Sequence, residues 1–179
     1  MLALLLAVLA VLPLLFMAPE TVRRFIYPLN YEEIILEASE EYGVEPTLVA
    51  AVIREESRFD PKVESEQGAY GLMQIQPETA RFISERSGIA GDYRGPNANI
   101  RMGTWYLNYL QNRYEDDERL VLAAYNSGEG RVDAWLSDES FDVASDIPFE
   151  ETRDYVEDVI ESEKNYEELY GRDLDRRQG

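Results

Sequence analysis

The sequence contains no cysteine and no histidine. Without cysteine there is no disulfide framework and no thiolate nucleophile. Without histidine, Ser-His-Asp and Cys-His catalysis are excluded, together with histidine metal sites and the usual zinc motifs. Acid–base chemistry is left to carboxylates, tyrosine and lysine. Positive charge is scarce as well: 17 Lys and Arg stand against 36 Asp and Glu, a net charge of −19. Phosphate binding needs a positive surface, so nucleic acid is not an expected partner. Electrostatic docking on an anionic membrane is disfavoured for the same reason. Such a surface suits a protein kept soluble in strong salt, and equally an acidic protein in ordinary salt. No internal repeat and no convincing period-two strand is present; a short β-hairpin around residues 66–76 is the one candidate for extended structure.

At 179 residues and 45% hydrophobic content the chain is long and apolar enough for one packed domain. Residues 1–17, MLALLLAVLAVLPLLFM, are wholly apolar. Their length lies near the lower limit of the roughly 17–25 residues that span a bilayer. A signal-peptide core is the alternative, although the start lacks Lys or Arg and no clear A-x-A site follows; a buried helix of the domain is a third reading. We favour an uncleaved membrane anchor over residues 1–19, a linker over 20–30, a folded domain over 31–170 and a frayed tail over 171–179.

Within the domain, helix signals recur. Asn30 with Glu33 gives a capping-box pattern ahead of a stripe of Tyr31, Ile34, Ile35, Ala38 and Tyr42, closed by Gly43. Pro46 opens a second helix to about Ser57, and Pro77 opens a third to about Arg86, stopped at Gly88. A fourth is expected from about Asn99 to Tyr114, with Ile100, Gly103, Thr104, Leu107 and Leu110 inward. Gly103 costs helix stability there, which suggests a close helix–helix contact. Asp116-Asp117 caps residues 118 to about 125, a short helix follows over Gly130–Leu136, and the last runs from about Phe149 to Tyr170. The fold class is therefore all-α.

The second helix holds an anomaly. At about 100° per residue, Val49, Val52 and Ile53 surround Glu56, so a carboxylate projects from the middle of an apolar face. Glu55 falls at the edge of that face, expected to be solvated, and Arg54 points away. A buried carboxylate is costly unless paired, neutral or used. Desolvation raises its pKa, which suits a general acid near neutral pH. A structural glutamate paired with an arginine or a hydroxyl remains the alternative. The segment that follows, with Ser65, Gly68 and Gly71, is a loop whose backbone can approach a ligand closely.

Glu56-Ser57-x-Phe59, followed by Ser65-x-x-Gly68-Ala69-x-Gly71-Leu72-Met73-Gln74, closely resembles the SLT family of lytic transglycosylases. Ala124-Tyr125-Asn126-Ser127-Gly128-x-Gly130 and Glu151-Thr152-Arg153-x-Tyr155-Val156 are similar to two further segments of that family, in the same order. Gln76 departs from it, since many relatives carry a second methionine there. The resemblance implies a lysozyme-like helical domain of the goose type with a glycan cleft. It implies cleavage of the MurNAc-GlcNAc β-1,4 bond of peptidoglycan that leaves 1,6-anhydroMurNAc ends, with Glu56 as the sole acid and base. Ser65, Gln74, Tyr125 and Asn126 match positions on the glycan groove; Tyr106 is a weaker candidate. Glu151 matches a cleft-wall glutamate, with Arg153 its possible partner, and Tyr155 is read as groove wall or core. No cofactor and no metal is expected. The expected partners are glycan strands and, through the N-terminal segment, a membrane; the protein is expected to be exported, held at the cell envelope and monomeric. A goose-type muramidase that admits water and a non-catalytic peptidoglycan-binding module are the alternatives.

Overall fold

A computed structural model describes residues 19–178. The apolar segment 1–17, read above as an anchor, lies outside them. Among the described residues no helix is long and apolar enough to cross a membrane. Eight helices follow in order: α1 (Pro19–Ile26), α2 (Glu32–Tyr42), α3 (Pro46–Ser57), α4 (Pro77–Ser87), α5 (Pro96–Arg113), α6 (Glu118–Ser127), α7 (Glu129–Leu136) and α8 (Glu150–Gln178). There is no strand among the described residues. The hairpin considered at residues 66–76 reduces to two isolated antiparallel bridges, Glu64 with Tyr70 and Tyr70 with Ile75.

Helix α3 is the centre of the molecule. Every residue from Pro46 to Ile53 is buried, because α8 lies along it while α2 packs against another side. Around this axis α5 packs on α2, and α6 bridges α5 and α8. Prolines open α3, α4 and α5, where the lost N–H would have no helical partner and the fixed φ is already helical. Pro96 thus starts α5 three residues before the expected Asn99, and Asn99 becomes a buried residue of its first turn. Asp117 caps α6 as expected, its carboxylate accepting from the Leu120 N–H at 3.1 Å.

Three expectations fail for tertiary reasons. Asn30 is not the cap of α2. Tyr31 takes that position at φ 60° with no side-chain cap bond. The entering chain is instead fixed by α8: Tyr166 donates to the Pro28 carbonyl at 3.0 Å and Tyr170 to that of Tyr27 at 2.9 Å. The segment expected as a linker is helical over Pro19–Ile26 and packs on α8. Finally, α8 does not fray at Gly171 but continues to Gln178. Tyr166, Tyr170 and Leu174 repeat at four-residue spacing, and Leu174 is buried. That stripe carries the helix past a glycine that costs only about 1 kcal/mol.

Gly103 faces something other than another helix. A Cβ placed there would come within 3 Å of Met73 Sδ, Cε and Cβ. Small size at this position admits the loop between α3 and α4. Gly103→Ala should therefore destabilise the fold by about 1–3 kcal/mol through overpacking, even though alanine is the better helix former. Urea denaturation of the variant checks this; unchanged or raised stability would show that Met73 moves freely aside.

Candidate active site

The site is built where α3 ends. Arg58 and Phe59 both adopt left-handed backbone conformations, at φ 51° and 63°, and turn the chain sharply away from the helix. Glu56 is thereby the last long side chain of α3 before the turn. Ser57 is buried, with its Oγ 3.0 Å from the Ile53 carbonyl and 2.8 Å from that of Leu72. Its single proton bridges the helix end and the returning loop.

That loop is clamped by side chains. The Met73 N–H donates to Asn99 Oδ1 at 2.8 Å, and the Met73 carbonyl accepts from the Tyr125 hydroxyl at 2.9 Å. Asn99 Nδ2 donates in turn to the carbonyls of Tyr70 and Tyr93, at 2.9 and 2.8 Å. Gly71, at φ 81°, leaves room for the Asn99 amide, which a Cβ would meet at 2.8 Å. Gln74 also has a left-handed backbone, at φ 46°, and its Nε2 donates to the Val63 and Gly71 carbonyls at 3.1 and 2.9 Å. Ser65 Oγ accepts the Ala69 N–H at 3.0 Å. Buried backbone groups that a strand would satisfy are met here by side chains from three helices.

The result is a cleft of about 390 Å³ whose wall includes Glu56, Ser65, Gln74, Tyr106, Tyr125, Asn126 and Glu151. All seven positions singled out from sequence thus come together. Glu66, Gln67, Gln76 and Thr79 line it as well; of these the sequence marked only Gln76, as a departure from the family, since polar residues in a loop or in a single helical turn carry no periodic signal. The Tyr125 hydroxyl is spent on the Met73 carbonyl. Asn126 Oδ1 accepts from Thr152 at 2.9 Å, joining α6 to α8. Arg153 does not pair with Glu151: its Nη1 donates to the Ile147 carbonyl at 2.6 Å. Glu55 is not solvated, and Arg54 does not point into solvent. They form an ion pair, the Ser162 hydroxyl also donates to Glu55, and the Arg54 guanidinium lies 4.3 Å from the Tyr27 ring centroid. The helical wheel failed here because α8 and Tyr27 cover the side of α3 that it assigned to water.

Glu56 is only partly exposed, towards the cleft, with protein on its other sides. Burial pushes its carboxyl up to about 7, and the nearby Glu55 charge adds to the rise. Tyr155 on α8 works in the opposite direction by favouring the charged form. Its buried hydroxyl has no hydrogen bond of ordinary geometry among the described residues. Tyr155 therefore belongs to the environment of Glu56, beyond the wall or core role assigned from sequence. The signal was its place on the inward stripe of α8, three residues after buried Thr152. The Tyr125 and Tyr155 hydroxyls are themselves held neutral by burial, with the Glu56 charge adding to the effect. No group of three or more acidic side chains is placed to hold a metal among the described residues. The arrangement offers one carboxyl protonated near neutral pH, facing a groove of amides, hydroxyls and tyrosine rings that also carries the carboxylates of Glu66 and Glu151. That combination suits proton delivery to a polar ligand rich in hydroxyl and amide groups.

The transglycosylase SLT domain model matches residues 33–146. The soluble lytic murein transglycosylase of Salmonella typhimurium is 35% identical over 156 residues, which cover 81% of this chain and 24% of that protein. Membrane-bound lytic murein transglycosylase C of Haemophilus ducreyi is 30% identical over 166 residues, covering 76% of this chain and 45% of that one. The crystal structure of the 70-kDa soluble lytic transglycosylase of Escherichia coli superposes with a TM-score of 0.76 at 34% identity, over 81% of this chain and 25% of that one. This chain thus spans about a quarter of the length of its soluble relatives. With the helical order, the cleft and these matches agreeing, the chain belongs to the transglycosylase SLT domain family.

Proposed function

We propose that the domain is a lytic transglycosylase that cleaves the β-1,4 bond between MurNAc and GlcNAc in peptidoglycan without consuming water. The observation that carries this reading is one desolvated carboxyl, Glu56, raised to about 7, on the wall of a cleft whose other lining is mainly amides, hydroxyls and tyrosine rings, with Glu66 and Glu151 as its remaining carboxylates. Glu56 donates its proton to the glycosidic oxygen as the bond to the MurNAc anomeric carbon breaks. The substrate's N-acetyl oxygen supports that carbon while charge develops. The Glu56 carboxylate then takes the proton of the MurNAc 6-hydroxyl, whose oxygen closes on the anomeric carbon. A 1,6-anhydro ring forms, a free GlcNAc 4-hydroxyl leaves, and Glu56 is protonated again.

A conventional glycosidase places a second carboxylate about 5–9.5 Å from the first. Glu55 is unsuited to that part, being bound to Arg54 and Ser162, and the other carboxylates of the cleft are Glu66 and Glu151. Ser65, Gln74, Tyr106, Tyr125, Asn126 and Glu151 are proposed to line the sugar subsites, with Tyr106 and Tyr125 offering ring faces for stacking. Residues 1–17 are proposed to anchor an exported, monomeric protein at the cell envelope. The resemblance to both soluble and membrane-bound relatives is compatible with that placement.

Glu56→Gln is expected to abolish release of muropeptides from purified murein while leaving the helical fold intact. Mass spectrometry of the wild-type products should find anhydro ends. Reducing ends would indicate a muramidase, and murein binding without release would indicate a binding module. The same variant tests the carboxyl's environment. Between the ordinary value of 4.5 and about 7, Glu56 is neutral when folded and charged when unfolded. Its contribution to stability is therefore full at low pH and lost as pH rises through that interval. Glu56→Gln should be more stable than wild type above neutrality, by as much as about 3 kcal/mol, with the difference vanishing in acid. Equal stability at all pH values would contradict a desolvated acid.

Activity should fall as pH rises past about 7, where Glu56 loses its proton. Tyr155→Phe removes a group that favours the carboxylate, so that limb should move to higher pH. A pH–rate profile unchanged in Tyr155→Phe would dissociate the two residues.

A further inference from the structure

Helix α1 has two unlike faces. Arg23 and Arg24 turn onto α8. Arg23 donates to Asn165 Oδ1 at 2.8 Å and to Glu168 at 2.6 Å. Arg24 donates to the Leu169 carbonyl at 2.7 Å and lies 4.5 Å from the Tyr170 ring centroid. The helix is followed by Tyr27, which meets Tyr166 edge to face at 5.7 Å and supports the Arg54 guanidinium. The strap is thus bonded to the domain along its length. The other face carries Val22, Phe25 and Ile26, at i, i+3 and i+4, with 47%, 88% and 50% of their surface exposed. Single apolar residues on a surface need no explanation; three on one face of one short helix do.

What covers that face is indicated by the chain before it. The wholly apolar run of residues 1–17 ends two positions ahead of Pro19. Even fully extended, the backbone from Met17 to Val22 reaches at most about 17 Å. The headgroup layer on each side of the hydrocarbon is about 5–8 Å deep. If residues 1–17 enter a bilayer, α1 has little room to leave its surface. Charge does not supply the attraction: the chain carries −19, and both α1 arginines are engaged with α8. Apolar burial remains.

We propose that α1 is an interfacial helix whose Val22–Phe25–Ile26 face sinks into the boundary between lipid headgroups and acyl chains, so that its bonds to α8 seat the domain on the membrane in one attitude. This rests on the proposed membrane anchor, but it is a separate claim. An anchor alone would leave the domain tethered and free to turn, whereas the seat fixes which side of it faces the lipid.

The absence of cysteine makes the test direct. Full-length single-cysteine variants Val22→Cys, Phe25→Cys and Ile26→Cys, with Asn30→Cys as the exposed control, are labelled with an environment-sensitive fluorophore and reconstituted into phosphatidylcholine vesicles. Co-sedimentation with the vesicles reports the anchor; emission and quenching by brominated lipid report the seat. The proposal expects sedimentation of all four, with a blue shift and loss of emission by bromolipid at positions 22, 25 and 26 and water-like emission at 30. Sedimentation with water-like, unquenched emission at position 25 would overturn the seat and leave the anchor standing. Failure to sediment would overturn both. A blue shift insensitive to bromolipid, with a doubled mass by light scattering in nanodiscs, would assign the face to a second copy of the chain and overturn the seat.

Discussion

The site depends on one short piece of backbone, Leu72–Met73, being held by side chains alone. Its carbonyls and N–H face Ser57 of α3, Asn99 of α5 and Tyr125 of α6. A buried peptide group without a partner costs about 1–3 kcal/mol, so each bond is needed. Because the three partners sit on three helices, the loop can occupy this position only when those helices are packed together. The cleft floor and the hydrophobic core therefore form as one unit. Gly71 and Gly103 serve the same junction by what they omit: a Cβ at either would displace Asn99 or Met73.

The second constraint is the dryness of Glu56. Most of α3 is inaccessible to solvent, and α8 covers the flank next to the carboxyl. That environment opposes folding at neutral pH and at the same time creates an acid able to hold its proton there. The neighbouring network is arranged so that the cost is limited to one group. Arg54 neutralises Glu55, Ser162 donates to it, and Tyr27 shields the pair. Left unpaired, Glu55 would place a second bare charge beside the first.

The large acid excess makes each arginine valuable as a tie between elements. Arg101 joins α5 to Glu41 of α2, Arg113 joins α5 to Asp133 of α7, and Arg119 joins α6 to Glu157 of α8. Exposed pairs contribute little individually, roughly 0–1 kcal/mol. Here they also relieve repulsion, since each places a cation among carboxylates. The same pattern holds at α1, whose arginines face α8 and leave its apolar residues outward.

Sequence alone determined the features that rest on local chemistry or on unusual residue patterns. Prolines at helix starts, Gly43 and Gly88 at helix ends and Asp117 as a cap act within one turn, so α3, α4 and the opening of α6 were legible. Glu56 was legible because a carboxylate amid Val49, Val52 and Ile53 contradicts its own helix. Only the tertiary structure decided what lies on the far side of each contact. Arg54, Glu55 and Tyr155 look like ordinary surface or wall residues until α8 is laid against α3. Gly103 announced a close approach but not that a methionine from a loop makes it. Asn99 carried the same kind of signal as Glu56, a polar residue on an inward stripe, yet its three partners come from segments up to 29 residues away. Periodicity records which way a side chain points along one element; it holds no record of which neighbour will arrive there.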